Sequence, residues 1–360
     1  MERFGIKTEI LSGPGALQAV GQMGLRRLLI VSDPFFYENG VAQKIGKLSN
    51  AEKIEYFHEV QPDPSVALAA KGTARVKEFS PDGILALGGG SAMDCAKAMA
   101  YFAESKARFI AVPTTSGSGS EVTDFAILTH DGVKHPLVDE RLRPDVAILD
   151  EELLQKLPSK LVADAGFDVL SHALEAYVAK NAGAVTDALA ADAFRTAFSL
   201  LPASFAGDVR VRGQIHMAAT MAGMAFSQAG LGLCHAMSHT LGGAFHIPHG
   251  RLNAILLPAV IECNAHTAAQ KYAKLAALAG FGASAQTVAV RNLKNGLIRL
   301  RRELRLPETL AQAGVKPEAV WHQSKELVAS VLADPCCGTN PMAVEDYTVR
   351  RVLESVTGHG

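Results

Sequence analysis

Several features that mark large classes of proteins are scarce in this sequence of 360 residues. Aromatic residues make up only 6% of the chain, and the formal net charge is −1 with no long run of one sign. A nearly neutral chain without basic blocks has no electrostatic reason to bind nucleic acid. We therefore expect no nucleic-acid partner.

Cysteine is also scarce, and its spacing is not that of a disulfide framework. The five cysteines form no CxxC pair, and Cys336 and Cys337 are adjacent, which is poor geometry for a structural disulfide. The opening residues MERFGIKTEIL contain no apolar signal-peptide core. These absences predict a reducing, cytoplasmic location.

A long uninterrupted apolar run is missing as well. Residues 217–237 come nearest to one, but Ser227, Gln228, His235 and three glycines interrupt them. Polar groups inside a stretch of this length favour a buried core helix over a membrane span. We expect no membrane partner.

What is present changes character near residue 150. Before it, short apolar runs such as 28–31, 84–87 and 109–113 alternate with helical patterns, as in a parallel sheet covered on both faces. After Glu151, helical spacing dominates. The sequence predicts an α/β, Rossmann-like domain over residues 1–155 with a mostly parallel sheet, and an all-α domain over residues 156–360.

Two glycine-rich loops follow predicted strands in the first domain. GGGSAMDCAK begins at Gly88 and opens a helix, and PTTSGSGSE begins at Pro113 after the next strand. Helix N-termini favour anions, and glycine lets a backbone approach phosphates closely. Neither loop is GxGxxG or a P-loop, and either alone could be an ordinary surface turn. Together they predict a crevice for a dinucleotide, with Asp33 placed to accept hydrogen bonds from a ribose.

The helical half holds nine of the twelve histidines, in a pattern that suits a metal. Asp168 and His172 are four residues apart, as are His235 and His239, and His249 follows shortly after. Residues at i and i+4 share one helix face. Both pairs lie in apolar helices, where buried polar groups need partners. A shared Fe(II) or Zn(II) ion would provide one, although single pairs of this kind are usually ion pairs or core residues.

A metal beside a nicotinamide favours hydride transfer to or from a carbonyl carbon. The combined motifs resemble those of the iron-dependent (group III) alcohol dehydrogenases. They are GGGSAMDCAKA (88–98), PTTSGSGSEVT (113–123), GFDVLSHALEAY (166–177), HAMSHTLGGAFHIPHG (235–250) and TNP (339–341). The resemblance implies NAD(H) and Fe(II) as cofactors, with Zn(II) as the alternative metal.

The resemblance also implies roles for single residues. Asp168, His172, His235 and His249 match the metal ligands, and His239 matches a histidine near the substrate that is often drawn in a proton relay. The implied cofactor contacts are Asp33, Asp63, Gly89, Gly90, Ser91, Ala92, Met93, Asp94, Thr114, Thr115, Ser116, Gly117, Ser118 and Lys134.

Three of these cofactor positions carry a more specific implication. Asp33 matches an acidic residue that favours NAD(H), because its charge would repel a 2′-phosphate. Asp63 stands where many members have Asn, and Lys134 matches a lysine that faces the cofactor. We also predict that Phe125 forms part of the substrate pocket, together with Phe245 and His246.

Within the family, residues 221–250 look most like the short-chain alcohol dehydrogenases of propanediol and ethanolamine breakdown. This implies reversible reduction of propanal or acetaldehyde, a homodimer or higher homo-oligomer, and shell or enzyme partners in a bacterial microcompartment. Two positions depart from the common pattern: Met342 stands where many members have Arg, and Asp164 where many have a small residue.

Three alternatives stay open at this point. One is a dehydrogenase of the same family that acts on lactaldehyde or 1,3-propanediol. Another is a lyase like dehydroquinate synthase, which needs Lys and Arg around a phosphorylated substrate, whereas the histidine-bearing segments here are rich in Ala, Leu and Gly. The third is a non-catalytic protein, against which the intact set of four ligand positions weighs.

Overall fold

The computed structural model describes residues 4–358. The chain divides into two compact units, residues 5–157 and the residues from Pro158 onward. Among the described residues, every strand lies in the first unit, and the regular elements of the second are helices. This confirms the predicted fold class.

The first unit is built around a parallel sheet. Its strands are β1 (Glu9–Ser12), β2 (Arg27–Ser32), β3 (Lys53–Phe57), β4 (Gly83–Gly88), β5 (Arg108–Pro113) and β8 (Val146–Leu149), and its helices are α1 (Pro34–Glu38), α2 (Val41–Leu48), α3 (Val66–Phe79) and α4 (Gly90–Phe102). The order across the sheet is β1-β8-β5-β4-β2-β3, with every pairing parallel. Every residue of β4 is buried, as expected for a strand covered on both faces.

The register brings the carboxyl ends of three strands together. Ser32 at the end of β2 pairs with Leu87 of β4, and Gly88 pairs with Pro113 at the end of β5. Residues that follow these strands therefore emerge at one edge of the sheet, where ligands bind in open α/β folds.

The first unit also contains a β-hairpin. β6 (Phe125–His130) and β7 (Val133–Val138) form a separate antiparallel pair. Asp131 and Gly132 between them both have positive φ, 48° and 76°, as the tight turns of such hairpins require. The backbone N–H of Thr129 donates to the carbonyl of Pro64 at 2.9 Å, which ties the hairpin to the loop before α3.

The first strand is short, although apolar and polar residues alternate over residues 4–11 as they do in a longer strand. β1 covers only residues 9–12, paired from Glu9 with Val146 to Ser12 with Leu149. It is an edge strand whose one partner, β8, is four residues long. The short length of β8 therefore limits the length of β1. The alternating pattern of residues 4–11 carries no information about the length of the partner strand.

The second unit is a bundle in which one helix is almost wholly enclosed. Its helices are α5 (Ser159–Val178), α6 (Ala184–Phe205), α7 (Arg212–Ala229), α8 (Leu233–Phe245), α9 (His249–Leu278), α10 (Gln286–Glu303), α11 (Pro317–His322), α12 (Ser324–Ala333), α13 (Cys336–Thr339) and α14 (Asp346–Thr357). α5 packs against α6, α7 and α9 and is buried along most of its length.

The expectation of one core helix over residues 217–237 is wrong. α7 ends at Ala229 and α8 begins at Leu233. Gly230 between them has a φ of 84°, a conformation that glycine adopts without strain. The break creates a new helix N-terminus just before His235. None of the helices in residues 4–358 has the length and apolarity that crossing a bilayer would require.

Candidate metal centre and cofactor loops

Three helices bring four polar side chains to one point in the second unit. Asp168 and His172 lie one turn apart on α5, His235 lies on α8, and His249 is the first residue of α9. One ligand atom from each lies within 4.8 Å of the others. Oδ1 of Asp168 is 3.8 Å from Nε2 of His172, 3.9 Å from Nε2 of His235 and 3.5 Å from Nε2 of His249.

These separations fit a single metal ion. Metal–nitrogen and metal–oxygen bonds of about 2.0–2.2 Å put neighbouring ligand atoms roughly 3–4 Å apart. Three imidazoles and one carboxylate suit Fe(II) or Zn(II) and leave coordination positions for a substrate oxygen. The structure thus brings together all four residues that the sequence analysis selected as ligands.

The electrostatics of the cluster also suit a cation. Burial opposes the charge on Asp168, but the surrounding imidazoles, that of His172 foremost, outweigh it and hold the pKa of this carboxyl well below its usual range. Burial lowers the pKa of His249 well below its ordinary value. Metal ligands bind in their deprotonated forms, so an anionic Asp168 and a neutral His249 are the required states.

Two residues that the sequence analysis missed hold these ligands in place. Oε2 of Glu175 lies 2.6 Å from Nδ1 of His235, while the same carboxylate accepts N–H bonds from Gly232 and Cys234. Nδ2 of Asn253 donates to Oδ1 of Asp168 at 2.8 Å. Carboxylates that orient metal-binding imidazoles are a common feature of metal sites.

His239 takes part in a second cluster, beside the first. Its Nδ1 lies 2.9 Å from Oδ2 of Asp334, and its ring stacks on His249 with centroids 5.3 Å apart. Burial would raise the pKa of Asp334, but the hydrogen bond with His239 outweighs it and lowers the pKa. Cys336 is also near, and burial raises the pKa of its thiol well above normal. The hydrogen bond between His239 and Asp334 is the contact that bears on the chemistry of His239.

In the first unit, the first glycine loop opens α4. Gly88 has a φ of 148°, and a Cβ there would lie 2.6 Å from the Cβ of Ala92. Gly89 precedes the helix, and Gly90, Ser91, Ala92, Met93 and Asp94 form its first turn. Their N–H groups lie at the helix N-terminus, where phosphate binds readily.

The second loop packs on the first. The N–H of Thr114 donates to the carbonyl of Gly88 at 3.0 Å. A Cβ at Gly89 would lie 3.1 Å from Oγ1 of Thr115, and one at Gly90 would lie 3.3 Å from the Cβ of Ser118. Ser116 and Gly117, which lie between Thr115 and Ser118 in the sequence, are buried. The glycines therefore allow the two loops to form one continuous surface.

A fully buried lysine that the sequence analysis did not select lies beneath the loops. Nζ of Lys97, on α4, donates to Oγ of Ser120, to the carbonyl and hydroxyl of Thr123 and to the carbonyl of Phe125, at 2.9 to 3.1 Å. Ser120 in turn donates to Oδ1 of Asp94 at 2.9 Å. This network joins the helix of the first loop to the chain after the second.

The remaining residues predicted to contact the cofactor are Asp33, Asp63 and Lys134. Asp33 follows β2 and caps α1 by accepting the N–H of Phe36 at 3.1 Å, with Oδ2 3.9 Å from where a Cβ at Gly88 would be. Asp63 has a φ of 54°, and its Oδ1 is 2.7 Å from Nζ of Lys134 on β7. The structure thus pairs two residues that were selected separately.

The three predicted pocket residues fall in different elements. Phe125 begins β6, and its ring centroid is 5.8 Å from Nζ of Lys97. Phe245 ends α8, and the exposed His246 follows it with a φ of 53°. Their contact with substrate stays a prediction.

Comparisons with known proteins agree with the fold and identify the family. Residues 7–151 match the family model for iron-containing alcohol dehydrogenase, and residues 162–357 match the C-terminal model of the Fe-containing alcohol dehydrogenase family. The 1-propanol dehydrogenase PduQ of Salmonella typhimurium is 39% identical over 99% of this chain and 100% of its own length. The NADPH-dependent butanol dehydrogenase of Clostridium saccharobutylicum is 36% identical over 99% of this chain and 98% of its own.

A solved structure gives the same result. The iron-containing alcohol dehydrogenase from Thermococcus thioreducens superimposes with a TM-score of 0.90 at 33% identity, covering 98% of this chain and 99% of that one. These matches confirm the predicted class of enzyme, an alcohol dehydrogenase that uses iron and NAD(H) on small alcohols and aldehydes. The chain therefore belongs to the iron-containing alcohol dehydrogenase family.

Proposed function

We propose that this enzyme reduces short aldehydes such as propanal or acetaldehyde with NADH, and catalyses the reverse oxidation of the alcohols. The observation that carries the proposal is the convergence of Asp168, His172, His235 and His249 within 4.8 Å of one another. The 39% identity to a 1-propanol dehydrogenase supports a three-carbon substrate.

When bound, the metal supplies a Lewis acid for the carbonyl oxygen and the dinucleotide supplies the hydride. The chain's own contribution begins with four ligands that hold the ion. The N–H groups at the start of α4 would bind the phosphates, and the threonine and serine hydroxyls of the second loop would line the same surface.

Reduction of an aldehyde also needs a proton for the oxygen. We assign its delivery to His239, whose Nδ1 is engaged by Asp334 at 2.9 Å. If Nδ1 carries the proton in that hydrogen bond, Nε2 is left as the atom that exchanges a proton with the substrate oxygen.

Preference for NADH over NADPH rests on Asp33. Its carboxylate lies at the edge of the sheet beside the first glycine loop, where it would repel a ribose 2′-phosphate and accept hydrogen bonds from a 2′-hydroxyl. One relative of this chain is named an NADPH-dependent butanol dehydrogenase. Coenzyme preference therefore differs among relatives and has to be measured for this enzyme.

The decisive experiment is removal and return of the metal. Protein purified without oxygen is stripped with a chelator, its metal content is verified, and reduction of two- to four-carbon aldehydes by NADH is measured before and after addition of Fe(II) or Zn(II). We expect activity to disappear when the metal is removed and to return when Fe(II) or Zn(II) is added. The aldehyde that is reduced fastest identifies the preferred chain length. Unchanged reduction by verified metal-free protein would refute the proposal.

The proposal extends to the organisation of the chain and its assembly. Residues 1–155 would bind the dinucleotide and residues 156–360 the metal. The exposed edge of β1 supports a homodimer or higher homo-oligomer, which light scattering would measure. The resemblance to dehydrogenases of propanediol breakdown supports a cytoplasmic enzyme with microcompartment partners. Family models for alcohol dehydrogenases favour this function over the lyase alternative.

A further inference from the structure

Asp164, which the sequence analysis singled out, forms a buried ion pair close to the metal ligands. Nε of Arg251 donates to Oδ1 of Asp164 at 3.2 Å, and Nη2 donates to Oδ2 at 2.7 Å. The side chains are only 10% and 15% exposed. A bidentate guanidinium–carboxylate pair of this kind has a fixed geometry as well as a favourable energy.

The pair joins the two helices that carry three of the ligands. Asp164 lies one helical turn before Asp168 on α5, so both face the same side. Arg251 lies two residues after His249, in the first turn of α9. The ion pair therefore spans the same two helices as the 3.5 Å approach of Asp168 to His249.

The main chains of the two helices also touch here. A Cβ at Gly250 would lie 1.9 Å from the carbonyl oxygen of Asp164, so only glycine fits between His249 and Arg251. This contact fixes the distance between the helices at one point. The ion pair adds a second point of contact. It therefore prevents the first turn of α9 from rotating about the contact between Gly250 and Asp164.

Among the four ligands, His249 most needs such support. Its side chain is 29% exposed, compared with 11% for Asp168, 6% for His172 and 1% for His235. It is the first residue of a helix whose preceding residue, Pro248, provides no side-chain cap. Helix ends with unsatisfied N–H groups tend to fray. His235 and Asp168 are held by Glu175 and Asn253, and within residues 4–358 His249 has no comparable side-chain hydrogen bond.

We propose that the Asp164–Arg251 ion pair is a positioning element that holds His249 in the metal-binding arrangement and so sets how slowly the metal leaves the site. The inference rests on the proposed metal site. It assigns these two residues no contact with substrate or cofactor. Their effect is expected on retention of the ion, whereas folding of the chain is maintained by the enclosed α5 and its neighbours.

The test measures metal loss directly. Wild-type protein, Asp164→Asn, Arg251→Gln and the double variant are loaded with Zn(II) at one ion per chain, and transfer to a coloured chelator is followed over time. The matched control is Asp187→Asn. It breaks the ion pair between Asp187 on α6 and Lys271, which lies farther along α9, where the two charged groups are 3.0 Å apart. The melting temperature of each metal-free protein is recorded in parallel.

We expect each single variant to release metal about 10–100 times faster than wild type, as for other residues that orient metal ligands. The double variant should be no faster than the faster single variant, since both remove one interaction. Asp187→Asn should release metal at the wild-type rate. A change below threefold in both single variants, or an equal change in Asp187→Asn, would overturn the proposal.

Two further measurements keep the outcomes distinct. Arg251→Lys keeps the charge but loses the bidentate geometry, so we expect it to release metal at a rate between those of wild type and Arg251→Gln. This comparison remains available if Asp164→Asn does not fold. Release at the wild-type rate by both Arg251→Lys and Arg251→Gln would refute the positioning role. His249→Ala tests the site itself. If it keeps metal as well as wild type does, the proposed metal site fails and the positioning role fails with it. If only His249→Ala loses metal, the site stands and the positioning role is wrong.

Discussion

Oε2 of Glu175 lies 2.6 Å from Nδ1 of His235, and both side chains are almost fully buried. The pairing leaves Nε2 of His235 directed to the metal cluster. The same carboxylate accepts N–H bonds at the start of α8, so it fixes the helix and the ring together. One residue on α5 thus determines the position of a ligand on another helix.

Glu175→Gln should therefore weaken metal binding. The amide keeps the size of the side chain but loses its charge, and substitutions of this kind typically reduce metal affinity 10–100-fold. Competition with a chelator of known affinity measures the effect. Asp187→Asn is the control, because it alters a carboxylate of the same unit that lies outside the cluster. Equal affinity in wild type and Glu175→Gln would show that the ring needs no such partner.

Asp334→Asn should slow turnover without loss of metal. His239 would keep a hydrogen-bonding neighbour but lose the negative charge that stabilises its protonated form. We expect kcat to fall about tenfold or more, within the 10²–10⁴ that general acid–base catalysis usually contributes. In a double-variant comparison, Asp334→Asn should add little to His239→Ala. If the two substitutions lower kcat by independent factors that multiply in the double variant, Asp334 does not act through His239.

Asp33→Ser should shift the coenzyme preference toward NADPH. Serine still caps α1, whereas the charge that opposes a 2′-phosphate is gone. We expect the ratio of kcat/KM for NADPH to that for NADH to rise at least tenfold. Asp33→Ala serves as the control for stability, since it removes the cap as well and should cost about 1 kcal/mol. A ratio that stays at the wild-type value would remove the basis of the NADH proposal.

Lys97 should make the free energy of unfolding depend on pH. Burial lowers the pKa of Lys97 from 10.5 to about 8, with a smaller contribution from the positive charge of Arg143. The negative charges of Asp94, Glu121 and Asp124 raise the pKa but do not outweigh burial. Between these two values the unfolded chain binds more protons than the folded one, so stability rises with pH. Below pH 8 the charge is present in both states and this gain is absent.

The measurement compares wild type with Lys97→Met in urea from pH 7 to 10.5. The difference in unfolding free energy, wild type minus variant, should rise by on the order of 3 kcal/mol across that range, since one pKa unit corresponds to about 1.4 kcal/mol. Titration of the other groups is common to both proteins and largely cancels. A difference that does not change with pH would contradict the shift.

The sequence predicts the site where its signals are local. His235 and His239 share a face because they are four residues apart, and the glycines of residues 88–90 identify their loop because they directly follow an apolar strand. Local spacing carries this information since helix and strand periodicity is fixed by backbone geometry.

The residues that were missed depend on contacts distant in sequence. Glu175 meets His235 across 60 positions and Asp334 meets His239 across 95. The sequence does not distinguish Lys97 from an exposed lysine on a helix, and only the fold places it under the second loop. Asp164 stood out as a departure from the family, but its partner Arg251 could not be found without knowing that α5 and α9 cross at Gly250.

The first and last strands of the parallel sheet are neighbours, and that has a consequence for how the chain acquires its structure. Within residues 4–358, β8 is the one strand that pairs with β1, and Asp150 accepts the N–H groups of Gly15 and Leu17. The beginning of this unit therefore cannot complete its contacts until residues more than a hundred positions later have been synthesised. Contacts so distant in sequence are slow to form. During synthesis, an unpaired β1 edge therefore stays exposed until β8 has emerged from the ribosome, which makes the interval before residue 150 the period when newly made chains are most prone to aggregate.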